Sequence, residues 1–296
     1  MTMSIHCKTA IAVRITTAVL AFAAFSATSG ELRLMSYNIR HCQGKDGNVD
    51  IRRTAAAIMR EKPDFVGLNE VDRCVRRSGG IDEAEELGRM LGLHATFAEA
   101  IPYKGGSYGN AVLSRERPIS VERMPLPGRE PRVLILCEYT NFWFGTAHLS
   151  WRREGVAAAE IIKRVVTEKS VVKPVFLTGD WNANPDSQTL AAMKTYMTVI
   201  SSERKRTFTA FKEHTSDSEG VGDYIAVDSM HATGVVVKET HATPDAVTSD
   251  HNPVVVLLEI KRHEQTDTSD HNPIAETVSI KTSRHSAQGT HQETTN

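Results

Sequence analysis

Cysteine is scarce in this chain: Cys7, Cys42, Cys74 and Cys137 are the only four in 296 residues. None stands with histidine at the spacing of a zinc site. There is no G-x-S-x-G elbow and no GK[ST] phosphate loop, so two common hydrolytic and nucleotide-binding devices lack their carriers. Charge of one sign is missing too, with 35 basic against 36 acidic side chains. A protein that grips long nucleic acid through phosphates usually carries a basic face, so the balance weighs against that use without excluding it. Long apolar runs are absent. The longest near the N-terminus, Ile15 to Phe25, is too short for a comfortable membrane span.

That run is informative for another reason. Lys8 and Arg14 precede it, and the small residues Ser26 to Gly30 follow. Charged, apolar, then small is the order of a secretory signal peptide, so residues 1–30 read as a signal segment, with an uncleaved anchor as the alternative. Cleavage is expected between Ser26 and Glu31, giving a secreted or periplasmic protein. It removes Lys8, Arg14 and Cys7, and leaves 33 basic against 36 acidic residues and three cysteines.

From Leu32 the hydrophobic period alternates between strand-like and helix-like stretches. Strands are expected at 32–39, 64–71, 109–114, 133–139, 142–149, 174–178, 223–227, 232–237 and 254–260. Helices are expected at 51–61, 81–91, 153–169 and 187–193. Helices between some strands and hairpin-like pairs elsewhere indicate a layered α/β domain with a mixed sheet or two sheets. No linker interrupts 31–260, so one domain is expected there. Residues 261–296 are rich in Thr, Ser, His, Gln and Glu and lack a sustained apolar stripe, which reads as a disordered tail.

The six residues TSDHNP occur twice, at 248–253 and 268–273. Asp250 and His251 lead into VVVLLEI, a run that fits a core strand and can hold two side chains in fixed geometry. Asp270 and His271 lie in the polar tail with no scaffold to preorganise them, so the first copy is the candidate site and the second is read as inert.

Other polar residues also stand where apolar strands end: Asn38, Glu70, His148, Asp180, Asn182 and Asp223. Each alone reads as a loop residue or a cap. Together they place acid, amide and imidazole groups at strand ends, where sites on layered folds are built. The residue types suit metal-assisted hydrolysis. Carboxylate and amide oxygens of Glu70, Asn38 and Asp250 suit a hard cation such as Mg²⁺, and a histidine oriented by an aspartate can take a proton from water.

In order along the chain, SYNIR, PDFVGLNEVD, YGNAVLSR, GTAHLS, LTGDWNANP, DYIAV and SDHNPVVV resemble the motifs of the endonuclease/exonuclease/phosphatase superfamily. The likeness runs from about Leu32 to Ile260. It implies a four-layer α-β-β-α sandwich, two packed mixed sheets flanked by helices, with the site at one edge. It implies Mg²⁺ or Mn²⁺ and hydrolysis of a phosphoester by in-line attack of water. Carried over by position, Glu70 is the main metal ligand, with Asn38 and Asp250 beside it. His251 is the general base and Asp223 its partner. Asp180 and Asn182 position the nucleophile and the phosphate, and His148 is a second phosphate-side histidine. Asn110 and Arg40 become candidate substrate contacts, Arg40 equally a structural ion pair.

Two positions depart from the family pattern. Val221 and Gly222 stand where many relatives have a basic and an aliphatic residue before the Asp-Tyr pair. Arg40 replaces the acid usual in exonuclease III-type repair enzymes, which weighs against that branch. If Asn38 and Glu70 meet, Cys42 and Cys74 leave the sheets near each other and a disulfide between them is expected, with Cys137 a buried inert thiol.

The substrate stays open. A nuclease would use a basic groove from residues such as Lys104, Arg129, Arg132, Arg152, Arg153, Arg204, Lys205 and Arg206. A lipid or inositol-phosphate esterase would use a smaller pocket and, for lipids, exposed apolar loops, for which Phe142, Trp143 and Trp151 are candidates, with core packing the expected fate of the first two. A catalytically dead binding module is the reading from a different class. No obligate protein partner is implied and a monomer is expected.

Overall fold

The computed structural model describes residues 30–210, 220–245 and 247–261. The expected signal segment up to Ser29, the expected tail from Arg262 and its second TSDHNP copy lie outside the described residues.

Twelve strands form two six-stranded sheets. In the first the order is β11 (Val235–Ala242), β12 (Val254–Ile260), β1 (Glu31–Asn38), β2 (Phe65–Arg73), β4 (Gly106–Ser114) and β3 (His94–Tyr103). In the second it is β5 (Ser120–Leu126), β6 (Arg132–Glu138), β7 (Trp143–Ala147), β8 (Val175–Asp180), β10 (Asp223–Asp228) and β9 (Met197–Val199). Both sheets are mixed: β1 and β2 run parallel, as do β7 and β8, and the other pairs are antiparallel.

The central strands are apolar on both faces because both faces are covered. Leu34, Phe65, Ile135, Phe144, Phe176, Ile225 and Val256 point between the sheets. Their neighbours point outward. Met35, Val66, Leu68 and Val255 meet α1 (Ile51–Glu61) and α2 (Glu83–Leu91). Leu136, Leu177 and Tyr224 meet α3 (Arg152–Ser170) and α4 (Gln188–Met193). The result is the expected four-layer sandwich, helix on sheet on sheet on helix, with an apolar seam at each of its three junctions.

Local chemistry sets the helix ends. Asp50 caps α1 by accepting from Arg52 N and Arg53 N, and the chain leaves through left-handed Lys62 into Pro63. Asp82 caps α2 through Glu85 N, and Gly92 closes it in the left-handed region. Ser187 caps α4 through Leu190 N. Three strands, β3, β5 and β9, lie where no strand is expected from the sequence, and β11 extends past its expected end. All four are sheet edges. β3 and β5 are only partly buried and carry Pro102 and Pro125, so neither shows the apolar run of a central strand.

Candidate active site

Parallel pairing delivers the site residues to one edge of the sandwich. β1 ends at Asn38, paired with Asn69 of β2, so Asn38 and Glu70 stand at the same level. β7 and β8 do the same in the second sheet, placing His148 just past one strand and Asp180 at the end of the other. β10 runs antiparallel to β8 with Asp223 opposite Asp180, and β12 starts at the same edge directly after Asp250 and His251.

The backbone is bent to present these groups. Glu70 sits at a register break in the β2–β4 ladder with φ 58°, and Asn182 has φ 47°. Both are unusual for residues with a β-carbon and concentrate at sites. Gly179 has φ 140°, and a β-carbon there would collide with the Ala147 carbonyl, so β8 approaches β7 closely just before Asp180.

At the centre, Asn38 Nδ2 donates to Glu70 Oε1 and to Asp180 Oδ2, each at 3.1 Å, and lies 3.4 Å from His251 Nε2. Its carbonyl oxygen accepts from Arg40 N at 3.1 Å. Asn38 thus offers the carboxylates its nitrogen and holds its oxygen away; as an oxygen ligand to a cation the amide would have to turn over. His251 Nδ1 is 2.8 Å from Asp223 Oδ2, and its Nε2 is 3.6 Å from Asp180 Oδ2. His148 Nε2 lies 3.0 Å from Asn182 Nδ2 and 3.4 Å from Asp180 Oδ2. Both histidines therefore face one carboxylate.

Beneath them is a scaffold that no sequence motif singles out. Asn69 Oδ1 accepts from Asp180 N at 2.8 Å, and its Nδ2 donates to Asn110 Oδ1 and Thr146 Oγ1. This amide ties the two sheets together directly under the site. Thr207 Oγ1 accepts from Gly222 N and Asp223 N, and Ser249 Oγ donates to Asn38 O while accepting from His251 N. Asn110 belongs to this scaffold. It is 2% exposed and its Nδ2 is spent on Val133 O, so it does not face the cleft as a substrate contact would; an amide in an apolar strand can satisfy either role by type alone. The only signal in the sequence for Asn69 is its place beside Glu70.

Burial and charge set the proton affinities. Burial raises the Asp180 carboxyl above its ordinary value, and the Asp223 charge adds to it. Burial also raises Glu70, against the Asn38 hydrogen bond. Burial pulls His148 well down, helped by Arg132, so this ring is neutral at pH 7. Burial works against a charge on His251 as well, but Asp223 and Asp180 outweigh it and hold the imidazole in its protonated form.

A cleft of about 250 Å³ opens over these groups. Glu70, Asp180 and Asp250 line it, while Asp223 is fully buried behind His251. Among the described residues, the acid and histidine side chains whose ligand atoms lie within 4.8 Å of one another are Asp180, Asp223 and His251. In that group His251 and Asp223 are already bonded to each other, so a cation entering from solvent meets the three lining carboxylates first. By donor type the lining carboxylates suit Mg²⁺ or Mn²⁺, and Glu70 is desolvated with a neutral amide hydrogen-bonded to it, although Glu70, Asp180 and Asp250 do not gather within 4.8 Å of one another as Asp180, Asp223 and His251 do.

At the rim, Arg40 Nε stands 3.5 Å from Asp250 Oδ2, the ion-pair alternative for this residue. Arg132 enters the cleft with its Nη1 3.4 Å from His148 Nδ1 and is paired with Glu130. Trp151 and Phe208 also line it. Phe142 and Trp143 are core residues at the opposite end of β7, the core packing expected for these two. The expected Cys42–Cys74 disulfide is not formed. Both thiols are free, Cys42 buried against α1 and Cys74 exposed, because the turns after Asn38 and Glu70 aim one side chain inward and the other out. Cys137 is buried and free as expected, its thiol pushed up to about 12 by burial.

No curated protein matches the chain in sequence. Solved structures do match in fold. An endonuclease/exonuclease/phosphatase from Beutenbergia cavernae superposes with TM-score 0.61 at 23% identity, covering 78% of this chain and 72% of its own. A mannosyl-6-phosphatase of Bacteroides thetaiotaomicron gives 0.59 at 20% identity, over 77% and 99%. TDP2 of D. rerio, complexed with a single-strand DNA product, gives 0.57 at 15%, over 77% and 99%. The family model described as Endonuclease/Exonuclease/phosphatase family matches residues 35–271, reaching into the second TSDHNP copy. The chain belongs to the endonuclease/exonuclease/phosphatase family.

Proposed function

We propose that this protein is a metal-dependent phosphoesterase that hydrolyses a phosphodiester or phosphomonoester. The observation that carries the reading is the His251–Asp223 pair, bonded at 2.8 Å and directed at Asp180 in a cleft also lined by Glu70, Asn182 and His148. Water adds to phosphorus, the ester P–O bond breaks, the water proton passes to a base, and the alcohol leaves with a proton.

His251 presents Nε2 to the cleft as the atom that takes or holds that proton, and Asp223 fixes the ring and stabilises its charge. Asn182 and Asp180 orient the attacking oxygen, and the amide of Asn182 with neutral His148 donates to the developing phosphoryl charge. Glu70, Asp180 and Asp250 would hold a divalent cation. Such an ion supplies neutralisation of the phosphoryl oxygens and offsets the carboxylate charge that keeps the His251 proton in place. Asn38 keeps Glu70 and Asp180 aligned from below.

The leader at residues 1–30 supports export as part of the proposal. Edman or mass-spectrometric sequencing of the secreted fraction tests it, and recovery of intact Met1 only from cytosol would refute it. For the activity, plasmid DNA, RNA, sphingomyelin, phosphatidylinositol and inositol phosphates are offered with Mg²⁺ to the parent protein and to His251→Ala. Turnover by the parent alone supports the reading. Equal release by both proteins, or none from any ester by a folded, Mg²⁺-binding parent, overturns it.

A further inference from the structure

Trp151 is out of place for its chemistry. Tryptophan gains more than any other side chain from burial, yet this one is 58% exposed while Trp143 and Trp181 are buried. It is not exposed by looseness. It holds the N-cap position of α3 in extended backbone, and the next residue, Arg152, takes φ 57°. The turn is packed from below, where a β-carbon on Gly155 would strike Ser150 O and Thr189. A strained and tightly packed turn thus displays an indole at the wall of the catalytic cleft.

A second aromatic stands on the same cleft. Phe208 is 39% exposed. Its backbone is clamped between Gly220 O, to which its N–H donates at 2.7 Å, and an antiparallel bridge with His251. Its ring lies 4.9 Å from the His251 ring, tilted by 51°. A phosphoryl group within reach of His251 would have Phe208 beside it, and Trp151 stands on the same lining.

We infer that Trp151, with Phe208, is the specificity element of this cleft and that it selects phosphoesters whose alcohol carries a flat-faced ring close to the phosphate. The inference rests on the phosphoesterase reading for its orientation. Ring faces stack on aromatic side chains, and the contact tolerates different rings because each has an apolar face. A cleft of about 250 Å³ has room for one ring beside the phosphate. Sugar phosphates and nucleotides share this chemistry.

Trp151 is the residue to test, because Phe208 touches His251 and its loss would disturb the base. Binding is measured by calorimetry with Mg²⁺ on His251→Ala, which removes turnover from the readout, and on the same protein carrying Trp151→Ala or Trp151→Phe. The probes are glucose 6-phosphate, adenosine monophosphate, a dinucleotide and, without rings, glycerol 3-phosphate and glycerophosphoethanolamine. The expected result is tighter binding of a ring-bearing ester over its acyclic counterpart, by about tenfold, with most of that ratio lost in Trp151→Ala and partly restored in Trp151→Phe. The sugar and base arms tell which ring is preferred. Equal affinity for ring and acyclic esters, or a ratio that Trp151→Ala leaves unchanged, overturns the inference while the phosphoesterase reading stands on turnover by the parent. A ring preference that depends on Trp151, in a parent that cleaves nothing, would uphold the aromatic selection and overturn the phosphoesterase reading. No binding of any ester would end both.

Discussion

Two carboxylates stand two residues apart on β2 and meet opposite fates. Asp72 is fully buried and satisfied from within. Arg77 donates to both its oxygens at 2.8 Å, and Ser78 adds a third hydrogen bond. Glu70 lines the cleft and accepts from the neutral amide of Asn38. A buried structural acid is given a permanent cation by its own chain. A working acid in the same strand is given an amide instead, its proton affinity raised by burial, so that a cation from outside can settle there. The register break at Glu70 separates the two, turning one side chain to the cleft and leaving the next acid facing α2.

The largest effect comes from removing the base. His251→Ala should lower turnover by about 10²- to 10⁴-fold, the usual worth of a positioned proton carrier, and should lower the melting temperature as well, because it leaves buried Asp223 without its partner. Loss of His271 should leave the rate as it is. A steady-state assay of both variants decides between the two TSDHNP copies, and a dead His271→Ala with an active His251→Ala would reverse the assignment.

Arg77→Ala should do the opposite on the other side of the comparison. It strands Asp72 as a buried, unpaired charge, which costs about 3 kcal/mol in chemical denaturation, less than a fully buried pair because Arg77 is partly exposed. The folded fraction should turn over substrate within a few-fold of the parent. A stable Arg77→Ala with lost activity would mean that the Asp72 pair belongs to the catalytic machinery.

A third effect reads the cation affinity of Glu70 directly. At a hundredfold excess over its dissociation constant, Mg²⁺ should stabilise the protein by about 2.7 kcal/mol in thermal unfolding. Glu70→Gln should abolish most of that shift, and Arg77→Ala should keep it. An equal shift in Glu70→Gln would place the cation on other ligands, the Asp180, Asp223 and His251 group being the first candidate.

Much of this contrast is legible in the chain itself. The central strands announce themselves because both faces are covered, so FVGLNE, VFLTGD and VVVLLEI read as apolar runs with polar residues at an end. The edge strands do not, since half-exposed segments such as SVERMPL carry no such signal. Residue type marks which groups stand near the cleft but not which way they face. Asn38 and Asn110 are both amides near the site, and only packing shows that one touches the Glu70 and Asp180 carboxylates while the other is locked onto Val133 O. Thr207 gives no signal, and Asn69 gives none beyond its place beside Glu70, because their work is done by hydrogen bonds to backbone N–H groups far away in sequence. The expected cysteine pairing fails for a related reason: the spacing speaks to where the two chains leave their sheets and not to the direction in which each thiol points.

The smallest effect separates the two acids by pH. Glu83 lies behind Asp72, accepts from Asp72 N at 2.8 Å, and is pushed up to about 8 by burial. An acid raised in the folded state keeps its proton there after the unfolded chain has lost it near pH 4.5. Its contribution to stability is therefore fullest below that point and declines as pH rises toward 8, where the folded protein also gives the proton up. Between pH 7 and pH 8 this one group should cost about 1 kcal/mol. Glu83→Gln, which keeps the shape and an oxygen for Asp72 N, should flatten that decline in denaturation curves taken at the two pH values, without altering the Mg²⁺ shift. A variant as pH-sensitive as the parent would move the titration to another group. A lost Mg²⁺ response would show that the sealed acids behind β2 and the open ones at the cleft are not separate systems.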